Sequence, residues 1–511
     1  MRIPAILFIL FTLNFVVACA GDDSSSNNFN NGNNINNTNN HNNVNNSNNV
    51  NNSNNVNNSN NTNNGTELGG TNLQCHDART EPATYFMSAD DSNSQAQPVW
   101  FRERILSHDL NRIDLQGLPP REYEFLNYYT FDFPAAPPGQ ILINTELSQE
   151  GAGDEFQLLV GLSSYPISPL GRRPFNFTFS IDTSGSMDGT SLETAREIVR
   201  AIAHAMRPGD IISIVDWDFY THILLSQHEI TGTDDAMLES SLDLLTASGA
   251  TNLYRGLAKA YEVANANYSA SYLNRVILIS DGNANVGITE AELIGHEADK
   301  EQGDGIFLIG IGTSAIYDHQ FMDTVTDLGK GAYIYIPDSA EALKMFGSER
   351  IYANTEIAAL NVKLKVTLPP WFVVSEFHGE EISHVSTDVR PQHLAPNDAM
   401  MYHAQLLDCG ADGDKSGSEF IFTVTWLSPF SNEPRMVEKS VTLSELLDGP
   451  VLNLQKADLV VAYARLLVNA DLLTATAQED ARVDLLSRIS QYYQDTLDPD
   501  MVEIQGVLEE F

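Results

Sequence analysis

The sequence predicts an α/β protein. Its centre is a doubly wound, mostly parallel six-stranded sheet, flanked by a β-rich, sandwich-like region and followed by a C-terminal helical tail. Three observations lead there. Between Pro174 and Phe346, apolar runs of strand length alternate with segments of helical period, as in a parallel sheet covered on both faces. On either side of that unit, strand-like runs dominate. Beyond residue 450 the apolar period becomes helical again. At ~150 residues per domain, 511 residues allow two or three domains, and 42% hydrophobic residues supply their cores.

The elements follow in order. Phe175–Ile181 is a strand. Ser191–Met206 is a helix with Leu192, Ala195, Val199, Ile202 and Met206 on one stripe. Thr190 and Glu193 are spaced as a capping box at its start, and Arg207-Pro208-Gly209 stops it. Ile211–Val215 is the second strand, and Thr221–Leu225 follows so closely that it is expected as an antiparallel edge. Asp234–Leu245 and Leu253–Ala264 read as helices, Val276–Ser280 as a strand and Glu290–Glu301 as a helix. Ile306–Ile311 and Tyr333–Ile336 are further strands around a helix from 318 to 328, and Ala340–Phe346 closes the unit. In the strand order 3-2-1-4-5-6, the first and fourth strands are neighbours at the switch point where open α/β sheets bind ligands. Their carboxyl ends carry Asp182 and Asp281.

The outer regions read more coarsely. Residues 66–172 hold a helical stretch and the strand Phe156–Leu162. Residues 355–450 hold strand-like runs at Val362–Val366, Ala399–Leu407 and Phe420–Trp426. Strands bracketing the α/β unit suggest that the flanks meet as a β-sandwich into which residues 173–350 are inserted, with an interface between 140–172 and 355–445. In the tail, 451–511, Leu452–Val468 and Asp480–Thr496 are expected helices, packed on the sandwich or moving as a switch.

The first 65 residues concern location rather than fold. Arg2 is the only charge before an apolar run, Ile3–Ala18, that is short for a membrane span and reads as a signal peptide over residues 1–18. Val16-Val17-Ala18-Cys19 resembles a bacterial lipobox, which makes Cys19 the expected lipidation site; the alternative is ordinary cleavage after Ala18 or Ala20. At ~0.8 kcal/mol per buried methylene, several acyl chains would hold the protein to a membrane. Ala20 in place of Asp points to the outer membrane. Asn27–Asn64 is nearly pure Asn-Asn-X, too poor in apolar surface to offset ordering entropy, and reads as a disordered tether. About 40 residues span roughly 35 Å. An asparagine-ladder β-solenoid is the rival reading. The Asn-X-Ser/Thr triplets match glycosylation sequons, which a bacterial lipobox makes irrelevant.

Acidic residues number 68 and basic residues 28, a net charge of −40 and a pI near 4.4. Such a surface repels phosphate backbones and argues against nucleic-acid binding. The three cysteines show no zinc-site spacing with histidine. With Cys19 set aside, Cys75 and Cys409 remain as an expected disulfide in an oxidising compartment.

Chemistry gathers at three turns. The first strand runs into Asp182-Thr183-Ser184-Gly185-Ser186-Met187, Ser248 to Leu253 reads Ser-Gly-Ala-Thr-Asn-Leu into a helix, and the fourth strand ends Ser280-Asp281-Gly282. Carboxylates and hydroxyls are the hard oxygen donors Mg²⁺ accepts. Ser184 and Ser186 can turn toward one centre across Gly185, and Thr251 adds a third hydroxyl. Such a site is short of protein charge, which leaves a coordination position for an outside carboxylate.

These residues resemble a von Willebrand factor type A domain. Asp182-x-Ser184-x-Ser186, Thr251 and Asp281 match its metal-ion-dependent adhesion site one by one. The resemblance implies divalent-metal-dependent protein binding with Mg²⁺ as cofactor, Mn²⁺ or Ca²⁺ being the alternatives. A partner protein's Asp or Glu completes the coordination. Leu118-Pro119-Pro120-Arg121, Glu124 to Tyr129, Phe131-Asp132-Phe133-Pro134, Leu158 to Leu162, Gly310-Ile311-Gly312 and Gly329 to Tyr333 resemble bacterial YfbK-type lipoproteins, over residues 80–350. Asp216-Trp217-Asp218 departs from that pattern and reads as a solvated strand end, the alternative being added acidity near the site.

Competing chemistries fare worse. Gly310-Ile311-Gly312-Thr313-Ser314-Ala315 fits a dinucleotide fingerprint, with Asp338 as a ribose acid, but sits late in the sheet. Asp281, Asn283, Asn285, Thr289 and Glu292 mimic an EF-hand loop, with Val286 where glycine is needed. G-x-S-x-G, H-E-x-x-H and P-loop patterns do not occur, and His204 reads as packing or surface. The expectation is a lipid-anchored, metal-dependent binding protein of the bacterial envelope, periplasmic or surface-exposed, and not an enzyme. A scaffold with a purely structural metal and a metal-assisted hydrolase are the alternatives.

Overall fold

The computed structural model describes residue 75 and residues 80–511, except 108–120, 152, 233, 283, 290–304, 315–318, 330, 348–349, 411–412, 430 and 493–496. The signal-peptide, Cys19 and Asn-rich readings, the Leu118-Pro119-Pro120 match and the helix expected over Glu290–Glu301 lie outside the described residues.

The chain opens with β1 (Ala83–Ser88), α1 (Ala96–Leu106), α2 (Glu122–Tyr128), β2 (Leu142–Gln149) and β3 (Glu155–Ser163). The central unit follows: β4 (Phe175–Asp182), α3 (Thr190–His204), β5 (Ile211–Trp217), β6 (Thr221–Glu229), α4 (Ala236–Leu242), α5 (Leu253–Ala266), β7 (Leu273–Ser280), β8 (Phe307–Gly312), α6 (His319–Gly329), β9 (Tyr333–Tyr335) and α7 (Ser339–Phe346). Then come α8 (Arg350–Thr355), β10 (Ala359–Leu368), β11 (Phe372–Phe377), β12 (Glu381–Ser383), β13 (Gln392–Leu394), β14 (Ala399–Asp408), β15 (Glu419–Leu427) and β16 (Pro434–Thr442). The tail comprises α9 (Leu443–Leu447), α10 (Leu452–Val468), α11 (Ala475–Tyr492) and α12 (Pro499–Glu510).

The central sheet has the order β6-β5-β4-β7-β8-β9, which is the expected 3-2-1-4-5-6. All its pairs are parallel except β5–β6, where the short turn after β5 makes β6 an antiparallel edge. Every residue of β4 and β7 is buried, the consequence of helices on both faces. The Leu192, Ala195, Val199 and Ile202 stripe of α3 is buried against that sheet, as is Met206 just beyond the helix end.

Glycine sets two close approaches. A Cβ on Gly310 would lie 2.4 Å from Thr326 Cγ2, so this strand glycine admits α6 onto the sheet. A Cβ on Gly256 would lie 2.3 Å from the Trp217 ring, so α5 rests on that indole.

Several local expectations are corrected. The Thr190–Glu193 capping box does not form: Gly189, at φ +84°, occupies the cap position, and Thr190 is already the first helical residue. Glu193 turns instead to Arg196 at 2.7 Å. Gly310 and Gly312 lie within β8 rather than in a loop, and Asp338 caps α7 by accepting from the Glu341 N–H at 2.9 Å. The dinucleotide reading is thereby accounted for by packing and capping. His204 is exposed. The expected helix at Asp480–Thr496 runs instead over Ala475–Tyr492.

The flanks meet as two antiparallel sheets, each drawing strands from both sides of the central unit. One has the order β12-β1-β10-β15-β16, with β13 on β10; the other is β11-β14-β3-β2. Strand β14 pairs with β3 from Ala399↔Ser163 to Leu407↔Glu155, the interface expected between 140–172 and 355–445. Leu147, Leu158, Val160, Leu364, Val366, Tyr402, Phe420 and Phe422 fill the space between the sheets. The two cysteine sulfurs are bonded, Cys75 to Cys409, which ties the chain before β1 to the end of β14.

The tail is not peripheral. Residues Leu454, Ala457, Tyr463 and Leu467 of α10 join the same hydrophobic cluster as Phe125 of α2 and the central sheet. Helix α12 enters it through Met501, Ile504 and Leu508. Arg102 of α1 reaches Glu341 of α7 at 2.7 Å and Glu503 of α12 at 3.1 Å, bridging three regions of the chain.

Candidate metal centre

The carboxyl ends of β4 and β7 lie side by side, and each delivers an aspartate. Asp182 is fully buried, and its two oxygens have separate partners. Oδ1 accepts from the Ser184 N–H at 2.8 Å and Oδ2 from Ser280 Oγ at 2.7 Å. The Ser184 and Ser186 hydroxyls share a hydrogen bond at 3.1 Å. Ser184 is buried while Ser186 is exposed, so the pair runs from the interior to the surface.

Thr251, buried just before α5, is gripped by Asn285. The Asn285 amide accepts from the Thr251 N–H at 2.9 Å and donates to its Oγ1 at 3.1 Å. The N–H groups of Asn285 and Val286 return to the Thr251 carbonyl. Asp281 is buried at the end of β7, close enough for its charge to act on Asp182.

Three loops therefore close on one another. Ser248 N–H donates to the Thr183 carbonyl at 2.7 Å, and Gly185 N–H to the Gly249 carbonyl at 3.3 Å, joining the first loop to the second. Asn285 joins the second to the third, and Ser280 joins the third back to Asp182. A fourth segment supports them. Asp218, after β5, accepts from Ser248 Oγ at 2.9 Å and through its carbonyl from the Asn252 N–H at 3.0 Å. Gly249, at φ +70°, leaves no room there, since a Cβ would meet the Asp218 carboxylate at 2.6 Å.

The electrostatics suit a cation. Burial, and then the facing Asp281 carboxylate, push Asp182 up to about 7. Its hydrogen-bond partners among the described residues, Ser184 and Ser280, are neutral donors that oppose this push without cancelling it. Among the described residues no group of three or more His, Cys, Asp and Glu is placed to hold a metal. A cation here would depend on the hydroxyls of Ser184, Ser186 and Thr251 beside the two carboxylates, a hard, oxygen-only donor set of the kind Mg²⁺ takes.

All five residues singled out from sequence thus lie at this junction. Two supporting roles escaped the sequence reading. Ser280 was visible only as part of a turn, and Asn285 only as a step in the failed EF-hand spacing. Asp216-Trp217-Asp218 is also corrected as a solvated strand end. Asp216 is 9% exposed and faces His222 at 3.4 Å, Trp217 is wholly buried with its indole N–H on Ser180 Oγ at 2.9 Å, and Asp218 braces the metal loops. Burial raises the Asp216 carboxyl above its ordinary range.

The von Willebrand factor type A domain family matches residues 177–283. The "Uncharacterized protein YfbK" of Escherichia coli (strain K12) is 26% identical over 416 residues, 72% of this chain and 70% of the relative. Inter-alpha-trypsin inhibitor heavy chain H2 of Sus scrofa is 26% identical over 224 residues, 41% of this chain and 24% of its own length. Thus the chain spans about a quarter of that heavy chain. Among solved structures, a von Willebrand factor type A protein from Catenulispora acidiphila superposes with a TM-score of 0.45 at 14% identity, covering 74% of this chain and 98% of that one. The chain carries a von Willebrand factor type A domain and is related along most of its length to YfbK.

Proposed function

We propose that the protein is a divalent-metal-dependent protein-binding module of the bacterial envelope, held to a membrane through Cys19. Asp182, Ser184, Ser186 and Thr251 hold the cation, with Asp281 binding directly or through water. A partner's Asp or Glu completes its coordination, and Mg²⁺ is the expected ion. The observation that carries this reading is the closed ring of hydrogen bonds among the three loops, which brings Ser184, Ser186, Thr251 and Asp281 to the same junction as a buried, charge-repelled Asp182. The exposed Ser186 marks the side from which a partner would approach. The site is a binding site rather than a catalytic one. Among the described residues no helix is long and apolar enough to cross a bilayer.

The test is capture of envelope proteins by the purified chain in Mg²⁺ and in EDTA, with Asp182→Ala alongside. Capture should require Mg²⁺ and fail with the variant, whose circular dichroism should match the parent. Calorimetry should show Mg²⁺ binding lost in the same variant. Capture indifferent to both EDTA and Asp182→Ala would overturn the reading.

A further inference from the structure

Beside the three metal loops, the β5–β6 hairpin presents large apolar side chains to solvent: Phe219 at 44% exposure, Tyr220 at 61% and Ile223 at 46%. Single exposed apolar residues are ordinary, but a contiguous group rimmed by polar residues marks an interaction site. The polar residues Asp218 and His222 lie in the same hairpin, and Ser248 and Arg255 are hydrogen-bonded to it.

The backbone beneath this patch is fixed to the metal loops. Arg255 donates to the Phe219 carbonyl at 3.2 Å, and Tyr220 N–H to Asp218 Oδ1 at 2.7 Å. Asp218 in turn holds Ser248 and Asn252, which flank the Gly249–Thr251 stretch. The Phe219 and Tyr220 rings meet edge to face at 5.1 Å, which further sets their orientation. Apolar side chains held rigid and exposed lose little conformational entropy when a partner covers them.

We infer that this hairpin tip is the apolar half of a two-part binding face whose other half is the proposed cation, and that it selects a protein segment carrying an Asp or Glu next to an aliphatic or aromatic residue. The inference rests on the cation reading above and adds the partner's chemistry to it. Charge completes the description. With 68 acidic against 28 basic residues, and the exposed Asp188 and half-buried Asp218 beside these loops, the net charge disfavours acidic chains, and the cation is what admits a single acid. The segment therefore carries Lys or Arg outside its single acid.

Synthetic peptide libraries with one fixed Asp or Glu and varied neighbours, bound to the full mature chain in Mg²⁺ and in EDTA, test this. The peptides retained only in Mg²⁺ should be enriched in apolar residues beside the acid and in basic residues beyond it. Replacing the apolar neighbour by Ser should weaken binding about tenfold or more. The double variant Phe219→Ser, Tyr220→Ser should lose the same factor, while calorimetry with Mg²⁺ alone reports on the cation site independently. The peptide-side replacement tests the contact without touching the protein's fold. Mg²⁺-dependent binding with no apolar preference, equal in parent and double variant, would overturn the inference and leave the cation reading standing. Absence of any Mg²⁺-dependent peptide would overturn both.

Discussion

Replacing Gly256 by Ala tests how the metal loops are held without touching a ligand. The new Cβ would lie 2.3 Å from two carbons of the Trp217 indole and 2.5 Å from a third. Ordinary carbon contacts are about 3.5–4.0 Å, so helix or ring must move by more than 1 Å. Trp217 has little freedom: it is wholly buried, its indole N–H is spent on Ser180, and its carbonyl accepts from the Thr183 N–H at 2.8 Å beside the metal loop. Overpacking of this kind costs about 1–3 kcal/mol, and loss of the indole hydrogen bond adds about 1 kcal/mol. Alanine recovers about 1 kcal/mol through its better helix propensity. The net is a destabilisation of about 1–3 kcal/mol, a fall of several degrees in melting temperature. Because α5 starts two residues after Thr251 and Trp217 is bonded to Thr183, Mg²⁺ affinity should fall as well. Gly506→Ala is the control. It is an exposed glycine in α12 with nothing within 4 Å of the added Cβ, so alanine should stabilise there. Thermal melts and Mg²⁺ calorimetry on both variants decide the matter. A Gly256→Ala protein as stable as the parent, with unchanged Mg²⁺ affinity, would refute the claim that α5 is seated on Trp217.

Other expectations follow from single contacts. Arg102→Met should destabilise by about 3 kcal/mol, because it leaves the buried Glu341 carboxylate without its cation; Glu341→Gln in the same chain should recover part of that loss, read by urea unfolding. The metal-free protein should lose stability as pH rises from about 4 to about 7. Asp182, pushed up to about 7 in the folded state, still holds a proton that the unfolded chain has released, so the contribution is complete below the ordinary aspartate value and gone above about 7. The span is at most about 4 kcal/mol. Denaturant melts in EDTA should show this slope, Asp182→Asn should flatten it, and Mg²⁺ should reverse it, since the metal takes the deprotonated form. An EDTA slope identical in parent and Asp182→Asn would refute that assignment. Asp235 is held well below its ordinary range by hydrogen bonds from His228 and the start of α4, despite the opposing effect of burial. Its contribution is therefore present at neutral pH and lost in acid, and Asp235→Ala should remove part of the acid sensitivity of the melt.

The central unit was legible in the chain because its signals are local. Continuous apolar runs such as Phe175–Ile181 specify fully buried strands, the α3 stripe specifies a helix face, and the short gap after the second strand specifies an antiparallel edge. The five oxygen-bearing residues were legible for the same reason, each standing at the end of a readable element. Helix α12 was missed, although Asp498 and Pro499 form an ordinary helix start, because its acidic, short pattern lacks a strong apolar period. What the tertiary structure alone decided is long in range. Ser280 reaching back to Asp182, Asn285 clasping Thr251, and Gly256 resting on Trp217 join residues 98, 34 and 39 positions apart. The bridging by Arg102 is longer still. Periodicity reports what each residue's neighbours require of it. Hydrogen bonds and close packing between distant segments depend on where finished elements come to rest, and that placement is settled only when the whole core is assembled.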